Sequence, residues 1–185
     1  MAGGRVLFAF DLGSPDCWVA AERAVAALGE VPVFLPVEAA ALPGGLPVPD
    51  LEAVEAAANA AGLLPLRAPR DLPHDTRRAM LAATYARGAG RVVAFSHAAM
   101  RQVWTGGRAL EDPDTLRIAG AAAEIHPAAL DRGIELASTA RALDEAVAEA
   151  REAGIATVPA LAIGREVFAG PAALDGARAA LGAAP

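Results

Sequence analysis

The chain has 185 residues, of which 55% are hydrophobic and 21% charged, a composition that excludes a disordered protein. Its net charge of −6 argues against a broad nucleic-acid interface, and the absence of lysine excludes Schiff-base chemistry on a lysine amine. No apolar stretch approaches the roughly 18 residues that a membrane-spanning helix needs, so we expect no membrane segment. The apolar run that ends at Asp11 is too short for a signal peptide, which predicts a cytoplasmic protein.

The first part of the chain predicts a strand, a helix and a second strand. An apolar run over residues 5–11 has the length of a buried strand. The Ser-Pro-Asp motif at residues 14–16 then combines an N-cap hydroxyl, a proline suited to the first helical position and an acid in the first turn. We expect this helix to end at Gly29 and residues 31–37 to form the second strand.

The middle of the chain carries capping signals and prolines that are typical of successive helices. The predicted helices cover residues 50–61, 75–87, 92–105, 113–124, 127–132 and 135–153. Strand-like sequence returns over residues 157–163 and 165–169, and a helix over 171–181 follows. This order predicts an α/β protein with a thioredoxin fold, in which a mixed four-stranded sheet carries an inserted all-helical subdomain. The thioredoxin-like domain would comprise residues 1–44 and 135–185, and the helical insertion residues 45–134.

Three short motifs carry a resemblance to a known family. The turn FDLGSPDCW at residues 10–18 resembles the active-site turn of DsbA-like proteins. The segment GIATVPA at residues 154–160 resembles their cis-proline loop, which predicts a cis bond before Pro159, and GREVFAG at 164–170 resembles the hairpin behind it. DsbA itself has Cys-x-x-Cys in this turn. In the branch of 2-hydroxychromene-2-carboxylate isomerases and kappa-class glutathione transferases, a serine precedes the proline, as Ser14 does here.

The resemblance implies an enzyme, namely a glutathione-dependent isomerase or transferase of the 2-hydroxychromene-2-carboxylate isomerase type. Ser14 would hold the glutathione sulfur as a thiolate, at the positive end of a helix that favours a negative charge. An acid is expected at the glutamyl end of glutathione, and an aromatic side chain beside the substrate. The residues that would bind glutathione or the substrate are Pro15, Trp104, Val158, Pro159 and Asp175.

The single cysteine, Cys17, leaves two alternatives open. It occupies the position of the second cysteine in the family turn, so a thiol-disulfide oxidoreductase that works through Cys17 alone is one alternative. A non-catalytic module that binds a peptide or ligand by strand pairing is the other. Because position 14 is serine, a dithiol cycle within one chain is excluded.

The expected partners are few. The resemblance implies glutathione as cofactor, a small and aromatic substrate, and the homodimer that is common among such relatives, with no nucleic acid or membrane. We expect no metal, because one cysteine cannot form a thiolate cluster and His74, His97 and His126 share no metal-binding spacing.

Overall fold

A four-stranded mixed sheet lies at the centre of the computed structural model, which describes residues 6–73 and 75–182. Its strands are β1 (Val6–Phe10), β2 (Val33–Pro36), β3 (Ala160–Ile163) and β4 (Glu166–Ala169), in the order β2-β1-β3-β4. β1 runs parallel to β2 and antiparallel to β3, and β3 and β4 form an antiparallel hairpin. The predicted α/β fold with a mixed four-stranded sheet is therefore confirmed. His74 lies outside the described residues.

Eight α-helices surround this sheet in the described part of the chain. They are α1 (Pro15–Leu28), α2 (Leu51–Ala60), α3 (Arg77–Gly88), α4 (Val92–Trp104), α5 (Pro113–Ala122), α6 (Pro127–Ile134), α7 (Ala137–Glu152) and α8 (Ala173–Gly182). A short 3-10 helix, Ala39–Ala41, follows β2 and was not predicted. The described residues between β2 and α7 contain helices and loops but no strand, so the helical character of this block is confirmed.

Local capping explains where the main helices begin and end. Ser14 is the N-cap of α1, proline occupies the first helical position, and Gly29 ends the helix with a left-handed φ of 75°. The Gly29 N–H donates to the carbonyl of Val25, which satisfies one of the free carbonyls of the last turn. Asp50 caps α2 and Asp112 caps α5 in the same way as Ser14, through side-chain oxygens.

A cluster of phenylalanine rings joins the sheet to the helical block. Phe8 and Phe10 are two residues apart in β1, so their side chains point to the same face, and both are fully buried. Phe34 of β2 packs edge-on against both rings, with centroids 5.1 and 5.6 Å away. On α4, the ring of His97 lies 5.8 Å from Phe34. The insertion therefore shares the core of the sheet.

The remaining helices cover the sheet from other directions. α1 packs against α8, and α8 lies on β3 and β4, whereas α3 and α7 contact β2. No helix of the described residues is long and apolar enough to cross a membrane.

Candidate active site

The turn between β1 and α1 places Ser14 at the positive end of a helix. Its Oγ accepts a hydrogen bond from the backbone N–H of Cys17 at 3.3 Å, which is the expected N-cap geometry. Ser14 is only 1% exposed, so the side chain lies beneath its neighbours rather than at the surface. The cap uses Oγ only as an acceptor, so the O–H can donate as well, and the Cys17 thiol is an acceptor within its reach.

Asp11 lies beneath this turn and ties three segments together. Its carboxylate accepts hydrogen bonds from the N–H of Gly13 and the N–H of Ala39, both at 2.9 Å, and from the Thr76 hydroxyl at 2.8 Å. These donors belong to the turn, the 3-10 helix and the residue that precedes α3. Complete burial raises the pKa of Asp11 to about 6, although the three hydrogen bonds act in the opposite direction. Asp11 thus holds the turn against the helical block.

Trp104 supports the same turn from behind. Its indole N–H donates to the carbonyl oxygen of Leu12 at 3.1 Å, and the Leu12 N–H lies 3.4 Å from the sulfur of Met80. The side chain of Trp104 is completely buried, so it has no surface to offer a ligand. In this arrangement Trp104 positions the Ser14 turn, and its predicted place beside an aromatic substrate stays a prediction.

Cys17 points inward from the first turn of α1. It is completely buried, and this burial raises the pKa of its thiol, with the hydrogen bond from Ser14 opposing the shift without reversing it. The thiol of Cys17 is therefore uncharged at neutral pH and sheltered from reagents. This arrangement disfavours the alternative of an oxidoreductase that works through Cys17.

The loop before β3 approaches the turn from the other side. The Val158–Pro159 bond is cis, as predicted, and both residues are buried. Pro159 accepts a hydrogen bond from the Gly170 N–H at 2.8 Å, and Ala156 accepts one from the Gly44 N–H at 2.7 Å. By contrast, neither the N–H nor the C=O of Val158 takes part in a hydrogen bond among the described residues. These two groups remain available to an extended ligand.

Two cavities flank the Ser14 turn and share one covering loop. The larger, of about 350 Å³, lies beside Val158, and its lining residues are Asp16, Pro47, Val48, Asp50, Ala53, Thr157, Val158, Gly170 and Pro171. The smaller, of about 200 Å³, lies beside Gly13 and is lined by Gly13, Leu46, Pro47, Val48, Pro49, Leu72 and Pro73. Pro47 and Val48 border both cavities. The covering loop, residues 46–49, therefore separates a partly charged cavity from an apolar one.

The structure brings together only some of the predicted site residues. Gly13 borders the smaller cavity, and Asp16 and Val158 border the larger one. Ser14, Pro15 and Pro159 are buried and border neither cavity. Asp175 also borders neither of them, and its carboxylate is paired with Arg23 of α1 at 2.9 Å. Asp175 is thus engaged with Arg23 in this structure, and its role at the glutamyl end of glutathione stays a prediction.

Sequence reasoning missed the covering loop and the two acids of the larger cavity. The loop is rich in proline and glycine and ends at the cap of α2, a pattern that indicated a loop without indicating its position over the site. Asp16 and Asp50 were assigned only to helix starts. Among the described residues, no group of three or more histidine, cysteine, aspartate or glutamate side chains is arranged to hold a metal ion.

Solved structures of known proteins share this architecture. A 2-hydroxychromene-2-carboxylate isomerase superposes with a TM-score of 0.79 at 20% identity, over 96% of this chain and 94% of that one. A probable DsbA oxidoreductase from Streptomyces coelicolor also gives 0.79, at 21% identity, over 96% and 88% of the two chains. The cytosolic disulfide reductase DsbM from Pseudomonas aeruginosa, solved with GSH, gives 0.62 at 19% identity, over 96% of both chains.

The amino-acid sequence itself carries the family assignment. No curated protein sequence gave a significant match. The family described as DSBA-like thioredoxin domain matches residues 5–182, nearly the whole chain, including the Ser14 turn and the loop before β3. The chain therefore belongs to the DSBA-like thioredoxin domain family.

Proposed function

We propose that the protein is an enzyme of the DsbA-like kind that holds the sulfur of a small thiol at Ser14 and needs no thiol of its own. The thiol ligand would be of the glutathione type, and the reaction an isomerisation or a transfer. The observation that carries the proposal is that Val158, whose backbone N–H and C=O are unpaired among the described residues, borders a cavity next to a serine-capped helix start. An extended peptide-like thiol is the ligand that matches such groups.

Ser14 supplies the polar contact for the ligand sulfur in this proposal. A hydrogen bond to a charged acceptor contributes about 1.5–3 kcal/mol, and the helix terminus adds up to about 1 kcal/mol at an accessible site. Together these effects favour the thiolate form of a bound thiol. Because Ser14 is 1% exposed and borders neither cavity, its hydroxyl has to become accessible before a sulfur atom can reach it.

The smaller cavity suits the second substrate. Its lining consists of leucine, valine, proline and glycine, so it favours an apolar or aromatic molecule over a charged one. Its position beside Gly13 puts it next to the Ser14 turn, where the sulfur would be held. A cytoplasmic location and a homodimer remain parts of this proposal, and the cytosolic disulfide reductase among the structural neighbours supports the former.

Glutathione matches the larger cavity in its peptide backbone but not in its charges. The backbone groups of Val158 match its peptide-like chain, whereas the carboxylates of Asp16 and Asp50 face the cavity that would receive its own carboxylates. No described basic side chain lines this cavity. The thiol and the backbone of glutathione therefore fit the site better than its charges do.

The test is the thiol pKa of bound glutathione, followed by ultraviolet absorbance of the thiolate at saturating ligand. In the wild type this pKa should fall by about one unit or more below that of the free thiol. The shift should shrink in Ser14→Ala and survive in Ser14→Thr, which keeps both the hydroxyl and the cap. Ser138→Ala, at an exposed serine that borders neither cavity, is the control. An unshifted pKa in the bound state rejects the proposal, and the site is then that of a non-catalytic binding module.

A further inference from the structure

The larger cavity carries two negative charges that no described cation neutralises. Asp16 lies in the first turn of α1, and Asp50 caps α2 by accepting from the Ala53 N–H at 3.1 Å. Both line the cavity beside Val158. The ion pairs formed among the described residues include neither of them.

The two carboxylates also interact unfavourably with each other. Partial burial and the charge of Asp50 both raise the pKa of Asp16 above its usual value. A cation placed between the two side chains would relieve this repulsion, and an anion would increase it.

Three arginines that pair with acids elsewhere do not contribute charge to this cavity. Arg23 is paired with Asp175, Arg101 with Glu22, and Arg77 with Glu38. None of these guanidinium groups lines the cavity. The charge of the cavity is thus set by Asp16 and Asp50.

We propose that this cavity selects a cationic thiol, a peptide-like thiol whose ammonium group is not accompanied by free carboxylates. This inference rests on the function proposed above and names the ligand class of the same site. The unpaired N–H and C=O of Val158 are the independent feature that points to a peptide-like ligand there. Asp16 and Asp50 are the specificity-determining residues, because they lie where the charged ends of such a ligand would sit. Glutathione, with two carboxylates and one ammonium group, is a poor match, and its amides or esters are better ones.

The first experiment compares glutathione, its monoethyl ester and its diethyl ester, which carry two, one and no carboxylates. Each ester also adds an ethyl group, so the salt dependence and the aspartate variants separate the effect of charge from that of added apolar surface. Dissociation constants measured by calorimetry at low salt should fall in that order, by roughly three- to tenfold at each step. Raising the ionic strength should reduce the differences in dissociation constant among the three ligands, because salt screens the carboxylates of the cavity. Equal affinities, or tighter binding of glutathione than of its esters, overturn the inference and leave the proposed function standing.

Substitutions at Asp16 and Asp50 test whether these two side chains cause the preference for the esters. Asp50→Asn keeps a good N-cap for α2 and removes only the charge. Asp16→Asn removes the charge in the first turn of α1 and leaves the Ser14 cap in place. Each variant should bind glutathione more tightly than the wild type does. The dissociation constant of glutathione divided by that of its diethyl ester should fall by roughly threefold or more. The control is Glu52→Gln, an exposed acid in the first turn of α2 that does not border the cavity, and it should leave the ratio unchanged. A ratio that does not change in either aspartate variant also overturns the inference.

The same ligands with a methylated sulfur separate this inference from the proposed function. Their sulfur cannot become a thiolate, so any preference for the esters among them is independent of thiolate formation at Ser14. If the methylated esters bind as tightly as the free thiols with the same ester preference, the charge selection stands and the role of Ser14 fails. If none of the six ligands binds, both proposals fail.

Discussion

The carboxyl group of Asp11 is completely buried under the site, so its contribution to the stability of the fold depends on pH. Its pKa is raised from 3.8 to about 6 in the folded protein, chiefly by burial. A raised pKa means that the stabilising contribution of Asp11 is complete below pH 3.8 and is lost as the pH rises through about 6. The buried carboxylate thus weakens the fold at neutral pH in return for the three hydrogen bonds that hold the turn.

We predict that Asp11→Asn changes the pH dependence of stability. The free energy of unfolding of the wild type, minus that of the variant, should fall by up to about 3 kcal/mol between pH 4 and 7. Chemical denaturation at several pH values measures this difference. Asp71→Asn, at an exposed position, is the control and should give a flat difference. A flat difference for Asp11→Asn as well would show that Asp11 titrates normally.

Cys17 should react slowly with alkylating reagents in the folded protein. Its thiol is completely buried and its pKa is raised by that burial, so both access and thiolate formation are suppressed. Iodoacetamide labelling followed by mass spectrometry should show slow modification near neutral pH and fast modification in denaturant. Fast labelling of the folded protein would instead favour the oxidoreductase alternative.

At the scale of elements, the contact between α3 and α6 depends on a glycine. Gly133 of α6 faces the ring of Tyr85 on α3, and a Cβ atom added at position 133 would lie 2.3 Å from its Cδ2 atom. We predict that Gly133→Ala lowers the free energy of unfolding by about 1–3 kcal/mol, although alanine is the better helix former. Gly88→Ala in α3 is the matched control, because an added Cβ meets nothing within 4 Å there. Thermal unfolding of both variants measures the contrast, and equal effects would contradict the prediction.

At the scale of the whole molecule, several ion pairs link the thioredoxin part to the helical block, and the pair between Arg101 and Glu22 is bidentate. Arg101 of α4 donates to both carboxylate oxygens of Glu22 on α1, at 2.6 and 2.7 Å. Burial acts to raise the pKa of Glu22, but His97, whose Nδ1 lies 3.6 Å away, and the two hydrogen bonds and the charge of Arg101 outweigh it and lower the pKa to about 2. A lowered pKa means that this stabilisation is complete above pH 4.5 and is lost as the pH falls through about 2.

Glu22→Gln should therefore destabilise the protein at neutral pH and much less at low pH. We expect a loss of about 1–2 kcal/mol at pH 7, since the guanidinium of Arg101 is half exposed. The two proteins should approach equal stability near pH 2. Denaturant titrations at both pH values measure this, with the unpaired, exposed Glu145→Gln as control. The same deficit at both pH values would contradict the charge-based explanation.

Local signals in the sequence were sufficient to predict most of the fold. The Ser-Pro-Asp motif and Gly29 define α1 because N-capping, a proline at the first position and a left-handed C-terminal glycine act within a few residues. The apolar runs of β1 and β3 predicted strands for the same reason. Predicted strand ends differed from the observed ones by up to three residues, since β3 begins at Ala160 and residues 157–159 form the loop beside the site. The family motifs added the cis bond at Pro159.

The composition of the site depended on contacts between residues far apart in the chain. Trp104 donates a hydrogen bond to Leu12, which is 92 residues away in the chain. The ion pair of Asp175 with Arg23 joins residues that are 152 positions apart. Capping rules described Asp16 and Asp50 as helix starts, because such rules act within one turn and cannot place two turns side by side. Only packing of the insertion against the sheet brings both carboxylates to one cavity. The sequence alone thus determined the elements and the position of Ser14, while the tertiary structure decided which side chains surround a ligand.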